Sequence, residues 1–249
     1  MLLKRAVSAS CQGMTDDDVR TPADRIMAAR LRLRERFLQK MRETPSMSDA
    51  HPSGSGPPNR HGMPKIPIGQ RPAAPGKWPV LDLGRQPTIA TADWRLVVDG
   101  ECRKPLDLDW QAFLELEQID TASDFHCVTG WSRLDIAWKG VRFSTIAALA
   151  EPTDDARFVI SHAHDGYTTN LPLEEALKDD VLLVHTADGH PLPREHGGPV
   201  RMITPQLYAW KGAKWIHRIE LARFDQPGLW ESNGYSNTAH PWRNDRYAR

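Results

Sequence analysis

Large aromatic side chains are spread unevenly along this 249-residue chain, and that imbalance decides where a core can form. All nine tryptophans lie between Trp78 and Trp242, and five of the six phenylalanines follow Phe37. Such side chains bury the largest apolar surfaces, so the folded domain is expected over residues 77–249. Ahead of it, Pro45 to Gly76 holds eight prolines and five glycines, a composition that breaks helices and buries little. It reads as an extended linker whose last part wraps onto the domain, and residues 1–76 as a whole read as a flexible N-terminal extension.

Within that extension the pattern predicts a helix over residues 22–42. Thr21 is a suitable N-cap, Pro22 occupies the first helical position where its missing N–H costs nothing, and Asp24 favours the positive helix end. Ile26, Leu33, Phe37 and Met41 keep helical spacing among Arg25, Arg30, Arg32, Arg34, Arg36, Lys40 and Arg42. The helix is therefore basic and amphipathic. Two readings stand side by side, a docking segment for an acidic partner or membrane surface and a solvated extension.

Lys plus Arg and Asp plus Glu both number 32, so the overall charge gives no reason to expect a nucleic-acid partner. Three cysteines, Cys11, Cys102 and Cys127, cannot frame a disulfide-stapled fold, and a reducing, cytoplasmic setting is expected. The opening MLLKRAV soon turns polar and no Arg-Arg pair occurs, so no export signal is expected. No apolar run approaches the roughly 20 residues of a membrane span.

Beyond residue 90, short strands and short helices alternate without a regular βαβ rhythm. Trp94 to Val98 alternates into Asp99-Gly100, with a returning strand over 104–108 and a short helix capped by Asp109. Further strands are expected at 119–128, 157–162, 167–171, 181–185, 200–204 and 215–222, and helices near 144–150 and 173–178. The pattern predicts an α+β domain on mixed or antiparallel sheet. GxGxxG and Walker sequences do not occur.

Two constellations point to chemistry. Asp124-Phe-His-Cys-Val-Thr-Gly-Trp-Ser132 runs a strand into Thr129-Gly130, which places Cys127 near a strand end, where sites are commonly built. His126 and Cys127 alternate across that strand, so a thiol hydrolase would need another histidine, such as His162 or His196. A small buried hydrophobe is the plainer reading of Cys127. His196-Gly-Gly-Pro-Val-Arg201 with Lys211-Gly-Ala-Lys-Trp215 offers Arg201, Lys211 and Lys214 beside a glycine pair, which suits an anion or a solvated basic loop. His162 and His164 could share a strand face as metal ligands, but no third ligand is evident. Tyr167 to Asn170 reads as polar ligand contacts or as the wet face of a strand.

Taken in order, Trp78-Pro-Val-Leu-Asp-Leu-Gly84, Trp94 to Gly100, Phe125-His-Cys-Val-Thr-Gly-Trp-Ser132, Trp138-Lys-Gly-Val141, Asp165 to Leu173, His196 to Arg201 and Lys211 to Trp215 resemble the sulfite oxidase superfamily of molybdopterin enzymes. The likeness is greatest to the small bacterial branch that includes protein-methionine-sulfoxide reductase catalytic subunits. The resemblance implies the sulfite oxidase-type fold, a Mo-molybdopterin cofactor and oxygen-atom transfer at a sulfur centre, with sulfoxide reduction first and sulfite oxidation as the alternative direction. It implies Cys127 as the molybdenum ligand and Tyr235, five residues after Trp230, as the group facing the oxo ligand or substrate. Cofactor contacts implied with them are Trp78, Leu81, Asp82, His126, His162, Ala163, His196, Arg201, Lys211, Gly212, Ala213 and Lys214. It further implies a small sulfur-containing substrate and a separate electron-transfer protein, to which the basic helix is a candidate docking element. A cofactor-free cysteine hydrolase and a non-catalytic binding module that keeps the fold remain as alternatives.

Overall fold

The computed structural model describes residues 22–43 and 53–248. Cys11, Thr21 and residues 45–52 lie outside the described residues, as do the side chains of Phe37, Lys40, Met41 and Arg42. In chain order the elements are α1 (Pro22–Glu43), β1 (Gly54–Pro58), β2 (Pro64–Pro67), β3 (Arg71–Pro72), β4 (Arg95–Gly100), β5 (Leu106–Asp109), α2 (Trp110–Glu115), β6 (Ile119–Cys127) and β7 (Trp131–Arg142). They continue with α3 (Phe143–Ala150), β8 (Phe158–Ala163), β9 (Thr168–Pro172), α4 (Leu173–Ala176), β10 (Leu182–Ala187), β11 (His190–Pro191), β12 (Arg201–Ile203), β13 (Ile216–Ala222) and α5 (Leu229–Ser232). Mixed sheets with few short helices make this an α+β fold. No helix among the described residues is long and apolar enough to cross a membrane.

One sheet runs β5-β4-β13-β8-β9, antiparallel except for the parallel pair β4 and β13. The other runs β11-β10-β7-β3, with β12 beside β10 and β6 beside β7. Period-two alternation aims Trp94, just before β4, Leu96 and Val98 of β4, and Ile219 and Leu221 of β13 at Val141, Leu183 and Met202 of the second sheet. Phe143 and Ile146 of α3 close this core, each fully buried side chain contributing about 1.5–3 kcal/mol. Trp94 is wholly buried yet satisfied, its indole N–H donating to the Ile216 carbonyl at 3.0 Å. On the opposite face of the second sheet Ile136, Trp138, Leu182 and Val184 form another cluster, onto which Trp78 and Phe125 pack. That face carries the cleft described below.

Local signals hold where one side chain decides the geometry. Asp109 Oδ1 accepts from the Ala112 N–H at 2.9 Å and starts α2. β4 ends on Gly100, and the return to β5 takes the longer connection 101–105 rather than a tight Asp99-Gly100 turn. The longest strand, β7, falls where periodicity predicts none. Alternation within it is confined to Ile136 and Trp138, because Asp135 takes a left-handed φ of 50° and Gly140 lacks a side chain. β7 is nevertheless the hub of its sheet, pairing with β6, β10 and β3.

Backbone pairing also begins well upstream of residue 77. β1 and β2 form an antiparallel pair, and β3 adds to β7 in parallel, Arg71 opposite Trp131. The Trp242 indole donates to the Pro64 carbonyl at 2.6 Å, and His61 Nε2 lies 2.8 Å from Asp180 Oδ2. Proline tolerates these short edge positions, so a composition that rules out helix still permits ordered wrapping.

Gly140 sits where β7 meets β10, and a Cβ there would lie 2.1 Å from the Leu183 carbonyl oxygen. Gly140→Ala is therefore expected to destabilise the protein by about 3 kcal/mol through overpacking. A urea unfolding midpoint unchanged from the parent would refute this.

Candidate functional site

Cys127 is the last residue of β6 and pairs with Trp131 across the turn into β7. The Gly130 N–H closes that turn onto the Cys127 carbonyl at 3.0 Å. Gln70, just before β3, donates to the same carbonyl at 3.1 Å, so the N-terminal wrap holds the turn from outside. The thiol Sγ lies 3.1 Å from Thr129 Oγ1. Burial pushes its ionisation up, opposed by the Thr129 hydrogen bond. Cys127 opens into a cleft of about 120 Å³, whose walls include Trp78, Leu81, Asp82, His196, Arg201 and Lys214, with Tyr235 alongside. Its thiol is not sealed in hydrocarbon.

His126 faces the other way, as strand alternation requires. Its Nδ1 lies 2.8 Å from Ser132 Oγ, its ring stands edge-on to Trp242, and burial lowers it to about 3. Among the described residues no imidazole hydrogen-bonds the Cys127 thiol, and the His196 ring stacks on Trp78 at 3.8 Å. His162 lies elsewhere. The hydrolase alternative therefore lacks its base.

Arg201 and Lys214 line the same cleft as the thiol. Arg201, at the start of β12, is 3% exposed and donates to the carbonyls of His196, Gly212 and Met202 at 3.1, 3.1 and 3.3 Å. Lys214 Nζ donates to the Glu195 carbonyl at 2.8 Å. Neither has a carboxylate ion-pair partner among the described residues. Burial lowers Arg201 to about 10 and Lys214 to about 8, with the charge of Arg201 the next cause at Lys214. Burial, then Arg201 and Lys214, holds His196 at about 3, so it is a neutral stacking and hydrogen-bonding ring at physiological pH. Asp165 also lines the cleft, its ionisation pushed up by burial while it accepts the Tyr167 N–H at 3.0 Å.

The glycine pair does a different job from the one its flexibility suggests. The amides of Gly197 and Gly198 donate to the Arg194 and Pro193 carbonyls at 2.9 and 3.1 Å, so they do not face a ligand. Gly197 takes φ 106°, and a Cβ there would come within 2.9 Å of the Lys214 side chain. It makes room for the cation.

Four expected contacts do not line the cleft besides His126. Lys211 is consumed internally, its Nζ 2.7 Å from Glu231 Oε1 and within 3.0 Å of both oxygens of Asn170. Glu231 also accepts from the Trp210 indole at 3.0 Å and from Thr169 at 3.1 Å. Lys211 thus anchors α5 to the chain around Trp210. His162 Nε2 sits 3.2 Å from both Glu220 Oε2 and Arg218 Nη1, on a half-exposed ionic face. Ala163 and Ala213 pack with Tyr167, and His164 leans on His217. The Tyr167 hydroxyl donates to the Trp210 carbonyl at 2.5 Å, and Asn170 is buried, so this strand has no wet face. No group of three His, Cys, Asp or Glu able to hold a metal gathers among the described residues.

The structure adds two residues that no motif singles out, Trp210 and Arg30. Trp210 joins Trp230 and Tyr247 around Tyr235, with ring centroids 5.4, 5.1 and 4.9 Å from it. Burial, then Tyr247, pushes the Tyr235 phenol up, which leaves it a neutral proton donor. Arg30 of α1 reaches the cleft beside Trp230, 6.0 Å from that ring's centroid. Helical spacing exposes a basic face but carries no record of where the helix docks.

The two lysines separate by experiment. Lys211→Met leaves Glu231 buried without its cation and is expected to cost about 3–5 kcal/mol. Lys214→Met removes a half-buried cation with no carboxylate at ion-pair distance among the described residues and is expected to shift stability by less than about 1 kcal/mol. Denaturant unfolding of both variants checks the contrast, and equal losses would contradict it.

A model of the oxidoreductase molybdopterin-binding domain matches residues 83–230. An uncharacterized oxidoreductase of Bacillus subtilis, YuiH, is 42% identical over 171 residues, covering 68% of this chain and 86% of that protein. The catalytic subunit MsrP of the protein-methionine-sulfoxide reductase of Burkholderia mallei is 30% identical over 183 residues, 63% of this chain and 55% of that protein. Among solved structures, the sulfane dehydrogenase SoxCD of Paracoccus pantotrophus superposes with a TM-score of 0.52 at 21% identity, over 56% of this chain and 40% of that one. The chain thus spans about half of MsrP and less of SoxCD, and the latter likeness is one of fold.

Proposed function

The chain belongs to the oxidoreductase molybdopterin-binding domain family, and from that premise we propose that it reduces a sulfoxide, using molybdenum carried by the pterin and held by Cys127. One observation carries this reading: a thiol opens into a cleft lined also by buried Arg201 and half-buried Lys214, neither with a carboxylate at ion-pair distance among the described residues. The donor set fits the group. A soft thiolate suits molybdenum, and a single protein ligand leaves coordination positions for chemistry. Arg201 and Lys214 suit the pterin's phosphate, and the His196 ring stacked on Trp78 offers a flat neutral edge. Similarity to MsrP over the matched span supports the sulfoxide direction.

The bound group would supply the two-electron redox change and the site of oxygen exchange. Overall, a sulfoxide takes two electrons and two protons and leaves as sulfide and water, the electrons arriving from a separate protein. The chain's own residues bind, orient and exclude water. Tyr235 keeps its phenolic proton and donates a hydrogen bond to the sulfoxide oxygen, which polarises the S–O bond. Trp210 and Trp230 give the substrate side an apolar wall. Thr129 holds the thiol in position through its 3.1 Å contact. Anion binding would draw the Lys214 ionisation back up from about 8, because an opposite charge favours the protonated amine.

Elemental analysis beside turnover of dimethyl sulfoxide with an artificial electron donor tests the reading. The parent is expected to carry about one molybdenum per chain, and Cys127→Ser to lose the metal and the turnover while remaining folded. A parent that is active without molybdenum, or that oxidises sulfite but leaves sulfoxides untouched, would overturn it.

A further inference from the structure

A second, much smaller space lies apart from the thiol. Ser123 Oγ, His126 Nε2, Trp138 Nε1 and Thr204 Oγ1 are each buried without a hydrogen-bond partner among the described residues. All four residues line one cavity of about 10 Å³, and they are 9%, 1%, 2% and 6% exposed. Ser123 and His126 belong to β6, Trp138 belongs to β7, and Thr204 directly follows β12. The register of β6 on β7 slips between Ser123 and Phe125, a bulge that bends the strand where the cavity lies. Arg201 borders both this cavity and the Cys127 cleft. Each orphaned polar atom destabilises a fold, so four around one cavity point to a common partner.

Donor and acceptor chemistry identifies that partner. The Trp138 indole N–H can only donate. The Ser132 hydroxyl has one proton, which it gives to Gln70 Oε1 at 3.4 Å, so at 2.8 Å it accepts from His126 Nδ1–H. The His126 ring makes no hydrogen bond to a carboxylate among the described residues, and an unpaired imidazolium does not tolerate such burial. Its Nε2 is therefore an acceptor. The two hydroxyls serve either way. Asp124 also lines the cavity, and its Oδ1 accepts the Asp135 N–H at 2.9 Å. A metal cation would be repelled by the indole N–H and an anion by the Nε2 lone pair. Water gives two hydrogen bonds and takes two, and the volume admits one molecule.

We propose that this cavity binds a single ordered water molecule, which donates to His126 Nε2, accepts from the Trp138 indole and bridges β6 to the chain after β12 through Ser123 and Thr204. From His126 the donors run head to tail. His126 donates to Ser132, Ser132 to Gln70, and Gln70 Nε2 to the Cys127 carbonyl at 3.1 Å. Bonds aligned in this way polarise one another. The water is thus the far anchor of the Cys127 turn, with His126, Ser132 and Gln70 as positioning residues. This support does not depend on which reaction the thiol serves.

A high-resolution crystal structure of the full chain is expected to show one water peak within about 3.2 Å of His126 Nε2 and of at least two of the other three atoms. Nitrogen NMR of histidine-labelled protein is expected to find His126 neutral, with its proton on Nδ1. Thr204→Val keeps the side-chain shape and removes the hydroxyl. It is expected to move the His126 Nε2 resonance and to lower the folding equilibrium constant by about tenfold. Thr204→Ser keeps the hydroxyl and is expected to leave the resonance in place. Ser123→Ala supplies the same readout if Thr204→Val does not fold. Xenon density in the cavity of pressurised crystals, a missing water peak, a proton on Nε2, or a stability loss in Thr204→Val without any change at Nε2 overturns the proposal.

Discussion

Arg201 keeps a guanidinium almost wholly out of water, and every hydrogen bond it makes ends on a backbone carbonyl. Desolvating such an ion costs several kcal/mol, and neutral carbonyls offset only part of it. A lysine surrenders its proton more readily under these conditions, as the lowered value of Lys214 nearby illustrates, but arginine remains charged even at about 10. The cleft is thus built around cations that no carboxylate among the described residues pairs directly, Asp82 and Asp165 acting on Lys214 only at longer range. Within the same four residues, Lys211 is neutralised by Glu231 and serves as a structural anchor. One short basic segment divides its work between scaffold and site.

The thiol owes its placement to backbone geometry. Cys127 stands at the end of β6 because the turn into β7 closes on its carbonyl, and distant segments hold that turn still. Gln70 grips it from the N-terminal wrap, and Arg246 near the C-terminus donates to the Val128 carbonyl and, at 3.1 Å, to the Gly69 carbonyl. Three stretches far apart in sequence therefore fix one side chain. The geometry of a site depends on such supporting contacts as well as on the residue they hold.

Aromatic side chains carry the other half of the design. Trp78 packs edge-on against Phe125 and Trp138, stacks on His196, and lies under the Arg133 guanidinium at 4.7 Å. Elsewhere along the cleft Trp210, Trp230 and Tyr247 surround Tyr235. The two groups flank the cleft, rigid because each ring is held by neighbours rather than by its own rotamer preference. Helix α1 then borders the opening, with Arg30 shared between the interior and a groove outside.

Features set by neighbours in the chain were legible from residues alone. The Asp109 cap, the alternation of Trp94, Leu96 and Val98, the basic face of α1 and the opposed faces of His126 and Cys127 all follow from helical or strand periodicity. Periodicity was silent on β7, whose alternation is broken by Asp135 and Gly140 and whose strand state comes from pairing with β6, β10 and β3. Motif spacing grouped Lys211 with Lys214, but whether a lysine meets a carboxylate depends on Glu231 twenty residues away in the chain. Sequence by itself determined which residue types are available and which face of an element they occupy. Tertiary packing alone decided which buried charges find a partner and which stay open to a ligand, because desolvation and ion pairing act on neighbours in space.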